Sequence, residues 1–381
     1  MKKILTFVLC AVLFVPCIPA QLAVSGVLDT TLTALAGGGA GPDFAWGAEE
    51  FANIRFQADL REGGAFYGAV NFIAAAGSFA AAAAAADAPL FIAGDNYIFG
   101  IELERLYFRL NFNNTDIECG LMRLPFGYSQ IWGPSDFLNP RTPLSFNARP
   151  RGVLGANISV YPVYSLKIMV FASAPKDPFK FDGSGIVSGL ALDQNWNRVS
   201  LQGLYSFQSP ISGSPNGLHR FGLSMKADIE LNLVVDALYI LNTHDPAYIE
   251  GLSASAGLNY SFFGSDLYIM LEYLYNGSAS STAFDPEKRT GFRNHHYLSG
   301  IVRYQIGGYS GLTLNTVLCI DDLSLRPALA FDYEVFQGFS INATAYVSLD
   351  KKTFSGGDAG ELGPTQSGVT AGFNATAKFR F

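Results

Sequence analysis

From residue 373 to its last residue the chain alternates strictly. Phe373, Ala375, Ala377, Phe379 and Phe381 hold one parity, and Asn374, Thr376, Lys378 and Arg380 the other. Side chains point to opposite faces of a strand with period 2, so this segment predicts a strand with one apolar and one polar face. The pattern recurs upstream. Ile54, Phe56 and Ala58 alternate with Asn53, Arg55 and Gln57; Phe221, Leu223 and Met225 alternate with Arg220, Ser224 and Lys226; Leu329, Phe331 and Tyr333 alternate with Asp332 and Glu334. In these runs the charged residues keep to one parity. A lysine or arginine at a lipid midplane costs roughly 2–4 kcal/mol, so such segregation is what strands facing lipid on one side and water on the other require.

Walking the chain for such runs predicts strands including 22–35, 50–61, 97–112, 116–125, 152–161, 231–241, 266–276, 324–335 and 369–381. Tight turns at Glu62-Gly63-Gly64, Asn113-Asn114, Tyr161-Pro162, Phe263-Gly264 and Gln337-Gly338 alternate with longer connections at 36–49, 77–96, 126–151, 174–184, 277–294 and 350–368. The expected fold is all-β, a transmembrane antiparallel β-barrel of about eighteen strands with sixteen as the rival, short turns at one rim and long loops at the other. The run Ala80–Ala86 reads as a loop rather than a spanning helix, because alanine is only marginally lipid-soluble.

The N-terminus adds a compartment. Lys2 and Lys3 precede an apolar stretch from Ile4 to Val15 and a small-residue exit up to Ala20, so residues 1–20 read as a cleaved export signal and 21–381 as one barrel domain. Losing Lys2 and Lys3 takes the net charge from −7 to −9, which excludes a nucleic-acid binder. Cys119 and Cys319 are then the remaining cysteines, far apart and on different predicted strands, so neither a disulfide framework nor a metal or cofactor is expected.

The aromatic C-terminus resembles the assembly signal of Gram-negative outer-membrane barrels, with Phe379 and Phe381 carrying it. A second resemblance lies in 120–151. Arg123-Leu124-Pro125-Phe126-Gly127 is similar to a strand end of phosphate-selective porins, and Trp132-Gly133, Asp136 and Asn139-Pro140 are similar to a segment of alginate-export-like barrels. The resemblance implies a substrate-selective channel for small polar or charged solutes with this segment at its mouth. The segment either folds into the lumen or stays outside as a proline-stiffened loop. It also implies partners: outer-membrane lipid, periplasmic chaperones and the barrel-assembly machinery during biogenesis, with a homo-oligomer left open.

Arginines crowd this region: Arg105, Arg109 and Arg123 lead into it, and Arg141, Arg149 and Arg151 lie within or just after it. Asp228, Asp236, Glu272, Asp332 and Glu334 share the inward parity in the second half of the chain. Basic and acidic walls facing each other would set a transverse field over a pore. Alternatively, Arg105 and Arg109 pair with Glu102, Glu104 or Glu118 to satisfy a polar lumen. His244-Asp245 and Asp321-Asp322 are too slight a pattern for an enzyme. A transporter for hydrophobic compounds and a surface adhesin or structural barrel remain the other readings.

Overall fold

The computed structural model describes residues 21–38, 42–60, 63–77, 90–94, 96–139, 152–174, 184–210, 217–242, 251–277, 292–350, 360–362 and 370–381. Its strands are β1 (Gln21–Gly38), β2 (Pro42–Leu60), β3 (Gly64–Ala76), β4 (Leu90–Ala93), β5 (Tyr97–Phe112), β6 (Thr115–Met122), β7 (Val153–Val163), β8 (Leu166–Ser173), β9 (Val187–Trp196) and β10 (Val199–Gln208). They continue as β11 (Leu218–Asp228), β12 (Asn232–Asn242), β13 (Leu252–Phe262), β14 (Leu267–Asn276), β15 (His296–Ile306), β16 (Ser310–Cys319), β17 (Ser324–Phe336), β18 (Phe339–Ser348) and β19 (Thr370–Arg380).

Each strand pairs antiparallel with its sequence neighbour, except that β3 pairs with β5 directly, and β19 returns to β1 from Val27↔Arg380 to Ala36↔Ala371. The wall is therefore a closed barrel of eighteen strands. Closure removes sheet edges, which lets every backbone polar group of the wall find a partner without water. The short β4 adds a local pairing, Leu90–Ala93 against Ile98–Ile101 of β5. It lies along the stretch of β5 beyond the reach of β6, whose pairing starts at Leu106↔Leu121.

The apolar parity of each run faces outward, where Leu223, Val170 and Leu329 stay more than half exposed. The polar parity faces the lumen. On β5 that division needs a defect, because Glu102 and Glu104 have the opposite parity to Arg105 and Arg109. The register shifts at Ala69/Val70, where Ala69 opposes Arg105 and Val70 opposes Leu103. Glu104 is the extra residue, and the bulge turns all four charged side chains inward while Leu103 and Leu106 face out.

Several boundaries differ from the sequence reading. Residues 36–38 and 42–49 are strand where a loop was expected: β1 runs on to Gly38, and β2 starts at Pro42 opposite it. The turn expected at Tyr161-Pro162 falls at Tyr164-Ser165, because β7 carries Pro162 through an irregularity between Val160 and Val163, where a missing N–H is tolerated. The wall strand expected to end at 125 ends at Met122. The alanine run 80–86 lies outside the described residues, as do residues 1–20, expected to be an export signal, and Pro140, Arg141, Arg149 and Arg151.

Candidate functional site

Beyond Met122 the chain leaves the wall and crosses the lumen. Residues 123–139 dock on inward-facing side chains of β10, β12 and β14, nearly half the circumference from β6. Two carboxylates hold the segment by its backbone. Asp236 on β12 accepts hydrogen bonds from the N–H groups of Tyr128 (2.9 Å) and Ser129 (2.8 Å). Glu272 on β14 accepts from the N–H groups of Gln130 and Ile131 (both 3.1 Å) and Trp132 (2.9 Å), and from the Ser129 hydroxyl. The Trp132 indole N–H donates to the Glu272 carbonyl at 3.0 Å, and the Gly127 N–H to the Gln202 side chain at 2.7 Å.

A segment without regular structure carries unpaired N–H groups, and a buried donor left unpaired costs about 1–3 kcal/mol. Asp236 and Glu272, fully buried themselves, meet that need at successive residues. The fit is close at Gly127, whose φ is +80° and whose Cα faces Asp236: a Cβ there would sit 2.4 Å from Asp236 Oδ2. Tyr128 lies beside the same group. Burial, with Asp193 and Asp236 adding to it, pushes its phenol up to about 12.

The segment also closes on itself. Asn139 Oδ1 accepts from the Leu124 N–H at 2.8 Å, the Asp136 N–H donates to the Gly133 carbonyl at 2.9 Å, and Arg123 meets buried Asp136 at 3.5 Å. Its apolar side chains form two plugs. Phe126 and Phe137 stack at 5.7 Å and pack with Phe171 of β8, where the Arg220 guanidinium lies 5.0 Å over the Phe137 ring. Ile131 and Trp132 pack with Tyr297, Phe292 and Leu362.

Leu362 belongs to a second inward contact. Glu361 accepts from the backbone N–H groups of Arg293 (2.6 Å) and Asn294 (3.3 Å) and from the Tyr297 hydroxyl, and its own N–H donates to Asp322 at 2.6 Å. Cys319, Asp322 and Glu361 lie within 4.8 Å of one another. The two carboxylates already collect donors from Asn294, Tyr297 and Ser324, so the grouping acts as a clamp on the rim. Burial raises Asp322, but hydrogen bonds from Ser324, the Glu361 backbone and Cys319 outweigh it and hold the group below the usual carboxylate range.

On the opposite wall, β1 to β5, Tyr107 packs at the edge of the apolar cluster that includes Leu124, Phe126, Phe137 and Leu138. Arg55, Gln57, Tyr67, Arg105 and Tyr107 line a recess there of about 260 Å³ with Ser25 and Glu104. Tyr67 and Tyr107 stack at 4.9 Å, and Arg109 sits 5.5 Å from the Tyr67 ring. Arg105 and Arg109 each have an acidic neighbour, Glu104 at 3.5 Å and Glu118 at 2.5 Å, yet both side chains remain more than a third exposed.

The sequence-derived acids separate accordingly. Glu272 and Asp236 are spent on the segment; Asp228 pairs with Lys226 at 3.0 Å; Asp332 accepts from Asn342 at 2.7 Å; Glu334 is exposed near a short turn. They do not line one free acidic wall. The anchoring role of Gln202 and Ser129 was not read from the sequence, since a glutamine in an alternating strand and a serine in a loop look ordinary. One signal was present: Glu272 is a lone acid in the middle of LYIMLEYLYN.

No family model matches the sequence and no curated protein matches it. Solved structures do share its fold. OccAB3 of Acinetobacter baumannii matches with a TM-score of 0.52 at 13% identity, over 94% of this chain and 99% of that one. OccK5 (OpdH) of Pseudomonas aeruginosa matches with a TM-score of 0.56 at 10% identity, over 94% and 98%. OpdK of Pseudomonas aeruginosa, solved with vanillate, matches with a TM-score of 0.54 at 11% identity, over 95% and 98%. In architecture the chain is an eighteen-stranded barrel like these outer-membrane proteins, end to end.

Proposed function

We propose that the chain is an outer-membrane channel through which small polar or charged solutes diffuse passively, selected between the segment 123–139 and the arginine-bearing wall of β2 to β5. The crossing segment carries this reading. A barrel of this size otherwise encloses a wide aqueous lumen, and a strip of chain pinned across it by Asp236 and Glu272 reduces the path to the side where Arg55, Arg105 and Arg109 face water. Guanidiniums in a confined space keep their charge and present planar donor forks, so the expected preference is for anions, with carboxylates as the matching solute group. The stacked Tyr67 and Tyr107 add a surface for a planar solute, and the vanillate in the OpdK structure is of that kind. The likeness of 120–151 to segments of phosphate-selective and alginate-export-like barrels supports a selective pore as well. In this reading residues 1–20 are removed on export, both ends of the barrel face the periplasm, and Phe379 and Phe381 serve recognition by the assembly machinery.

The test is a single-channel recording of the purified protein in planar bilayers under a salt gradient. Ohmic steps with a reversal potential on the anion side are expected. A barrel that inserts without conducting overturns the channel.

A further inference from the structure

Among the described residues of the wall, the strand registers turn one charged side chain outward: Glu50, on β2. Every other described Asp, Glu, Lys or Arg within a wall strand shares the inward parity. Glu50 is exposed, and its neighbour across the ladder, Thr30 of β1, donates a hydroxyl hydrogen bond to Glu50 Oε2 at 2.9 Å. The pair does not sit at the water boundary. Trp46 faces outward from the same strand four residues nearer the long-loop rim, which at about 3.3 Å per residue is about 13 Å along the strand. Indoles of this kind mark the interface of a membrane barrel, so Glu50 lies on the hydrocarbon side of it. Leu28 and Leu32 flank Thr30 along β1, and the other side chains around the pair are small. Its row across the sheet reads Ala377, Thr30, Glu50, Ala74, and Ala48 and Ala52 flank Glu50 along β2.

Lipid tails offer a carboxyl group no hydrogen bond, and ionisable groups at membrane depth are kept only where something pairs with them. We infer that this face, from β18 across β19, β1 and β2 to β3, is where a second copy of the chain docks, with the two Thr30–Glu50 pairs meeting at one depth.

Three observations favour a second copy over another occupant. The axis relating two copies in a bilayer runs along its normal, so Glu50 meets groups at its own depth, and a symmetric pair of copies guarantees another hydroxyl and carboxyl there. The Thr30 hydroxyl donates and the Glu50 carboxyl accepts, so two copies can exchange these bonds reciprocally, each hydroxyl turning to the other copy's carboxyl, as a two-fold contact requires. Small residues let two walls approach closely, as they do between membrane helices. The area also suffices: five strands at about 4.8 Å spacing by an apolar band about 25 Å tall give about 600 Å² per copy, about 1,200 Å² in total, above the roughly 1,000 Å² a specific interface needs.

The inference rests on the outer-membrane reading above, and the test separates the two. The full-length protein is expressed with Cys119→Ser, which removes the exposed thiol and leaves buried Cys319, and intact outer membranes are treated with a short bis-maleimide. Ala52→Cys is expected to give a cross-linked homodimer, while Leu223→Cys, on the far wall, gives none. Adding Glu50→Leu to Ala52→Cys should lower the homodimer yield about tenfold, the ratio left by losing one hydrogen-bonded contact, with the heat-modifiable mobility of the folded barrel unchanged. No homodimer from Ala52→Cys, an equal yield from Leu223→Cys, an adduct of another mass, or an undiminished yield with Glu50→Leu overturns the dimer and leaves the channel standing. A chain that does not sediment with outer membranes overturns both.

Discussion

The two sides of the lumen use the same kind of residue to opposite ends. On β12 and β14, two carboxylates point inward and are wholly buried, because the chain itself has come to meet them: Asp236 and Glu272 together take five backbone N–H groups and a hydroxyl from residues 128–132. On β2 to β6, charged groups of both signs also point inward and also pair, Arg109 with Glu118 and Arg105 with Glu104, but both arginine side chains stay more than a third exposed. A charge on a barrel wall is therefore structural or functional according to what covers it. The buried pairs are worth several kcal/mol and fix a shape, whereas an exposed pair is worth up to about 1 kcal/mol and leaves its field in the pore.

The largest effect should follow from breaking the covered side. Glu272→Ala removes the acceptor for the N–H groups of Gln130, Ile131 and Trp132 and for the Ser129 hydroxyl, at about 1–3 kcal/mol for each donor left buried. Undocking should cost more than about 3 kcal/mol on that count, while the wall strands keep their ladders. The barrel should still fold and insert, and its single-channel conductance should rise, because the segment no longer narrows the lumen. Conductance equal to the native value in a folded Glu272→Ala barrel would mean that the solute path avoids residues 123–139.

Much of the wall was legible beforehand and much of the site was not, for one physical reason. A strand between lipid and water must alternate along its whole length, so the run from Phe373 to Phe381 states its own orientation, and the eighteen-strand count survives errors of several residues at each end. A local rule of period 2 misreads a defect in that period, and the bulge at Glu104 is one: it turns Glu102 and Glu104 inward alongside Arg105 and Arg109. The docked segment is harder, because its partners lie far away in sequence. Gly127 meets Gln202, Ser129 meets Asp236 and Glu272, and nothing in either strand spells the other. Trp132, Gly133, Asp136 and Asn139 stood out as a pattern, but their pattern reports the internal closure of the segment more than any contact with solute.

The uncovered side is tested by charge without change of shape. Arg105→Gln with Arg109→Gln should cost up to about 1 kcal/mol of stability for each pair, since both guanidiniums are partly solvated. The same double variant should shift the reversal potential toward cations and lower the conductance for small carboxylates, because Glu104 and Glu118 are left facing the lumen. In Glu272→Ala the shift should shrink, since a wider, wetter lumen screens these charges within about 8 Å at physiological salt. A reversal potential that does not respond to Arg105→Gln and Arg109→Gln in either background would assign these arginines to wall structure alone.

The smallest effect concerns the rim, where covered and uncovered chemistry meet at Asp322. Its carboxylate accepts from the Glu361 backbone at 2.6 Å and from the Ser324 N–H and hydroxyl, and so ties residues 360–362 over Trp132. Hydrogen bonding holds Asp322 below the ordinary carboxylate value despite burial. Its contribution is complete above the unfolded-state value of about 3.9 and is lost only as pH falls below that, through the lower folded value. Hydrogen exchange at the amides of Glu361 and Leu362, corrected for intrinsic rate, should therefore be flat between pH 7 and pH 5 and rise below about pH 4. Asp322→Asn, which weakens the acceptor at every pH, should abolish the acid-dependent step and raise exchange at pH 7 while leaving the amides of residues 128–132 protected. An acid step of the same size in Asp322→Asn would mean that the Asp322 carboxylate is not what ties residues 360–362 to the rim, leaving that corner to the contacts of Asn294 and Tyr297 with Glu361.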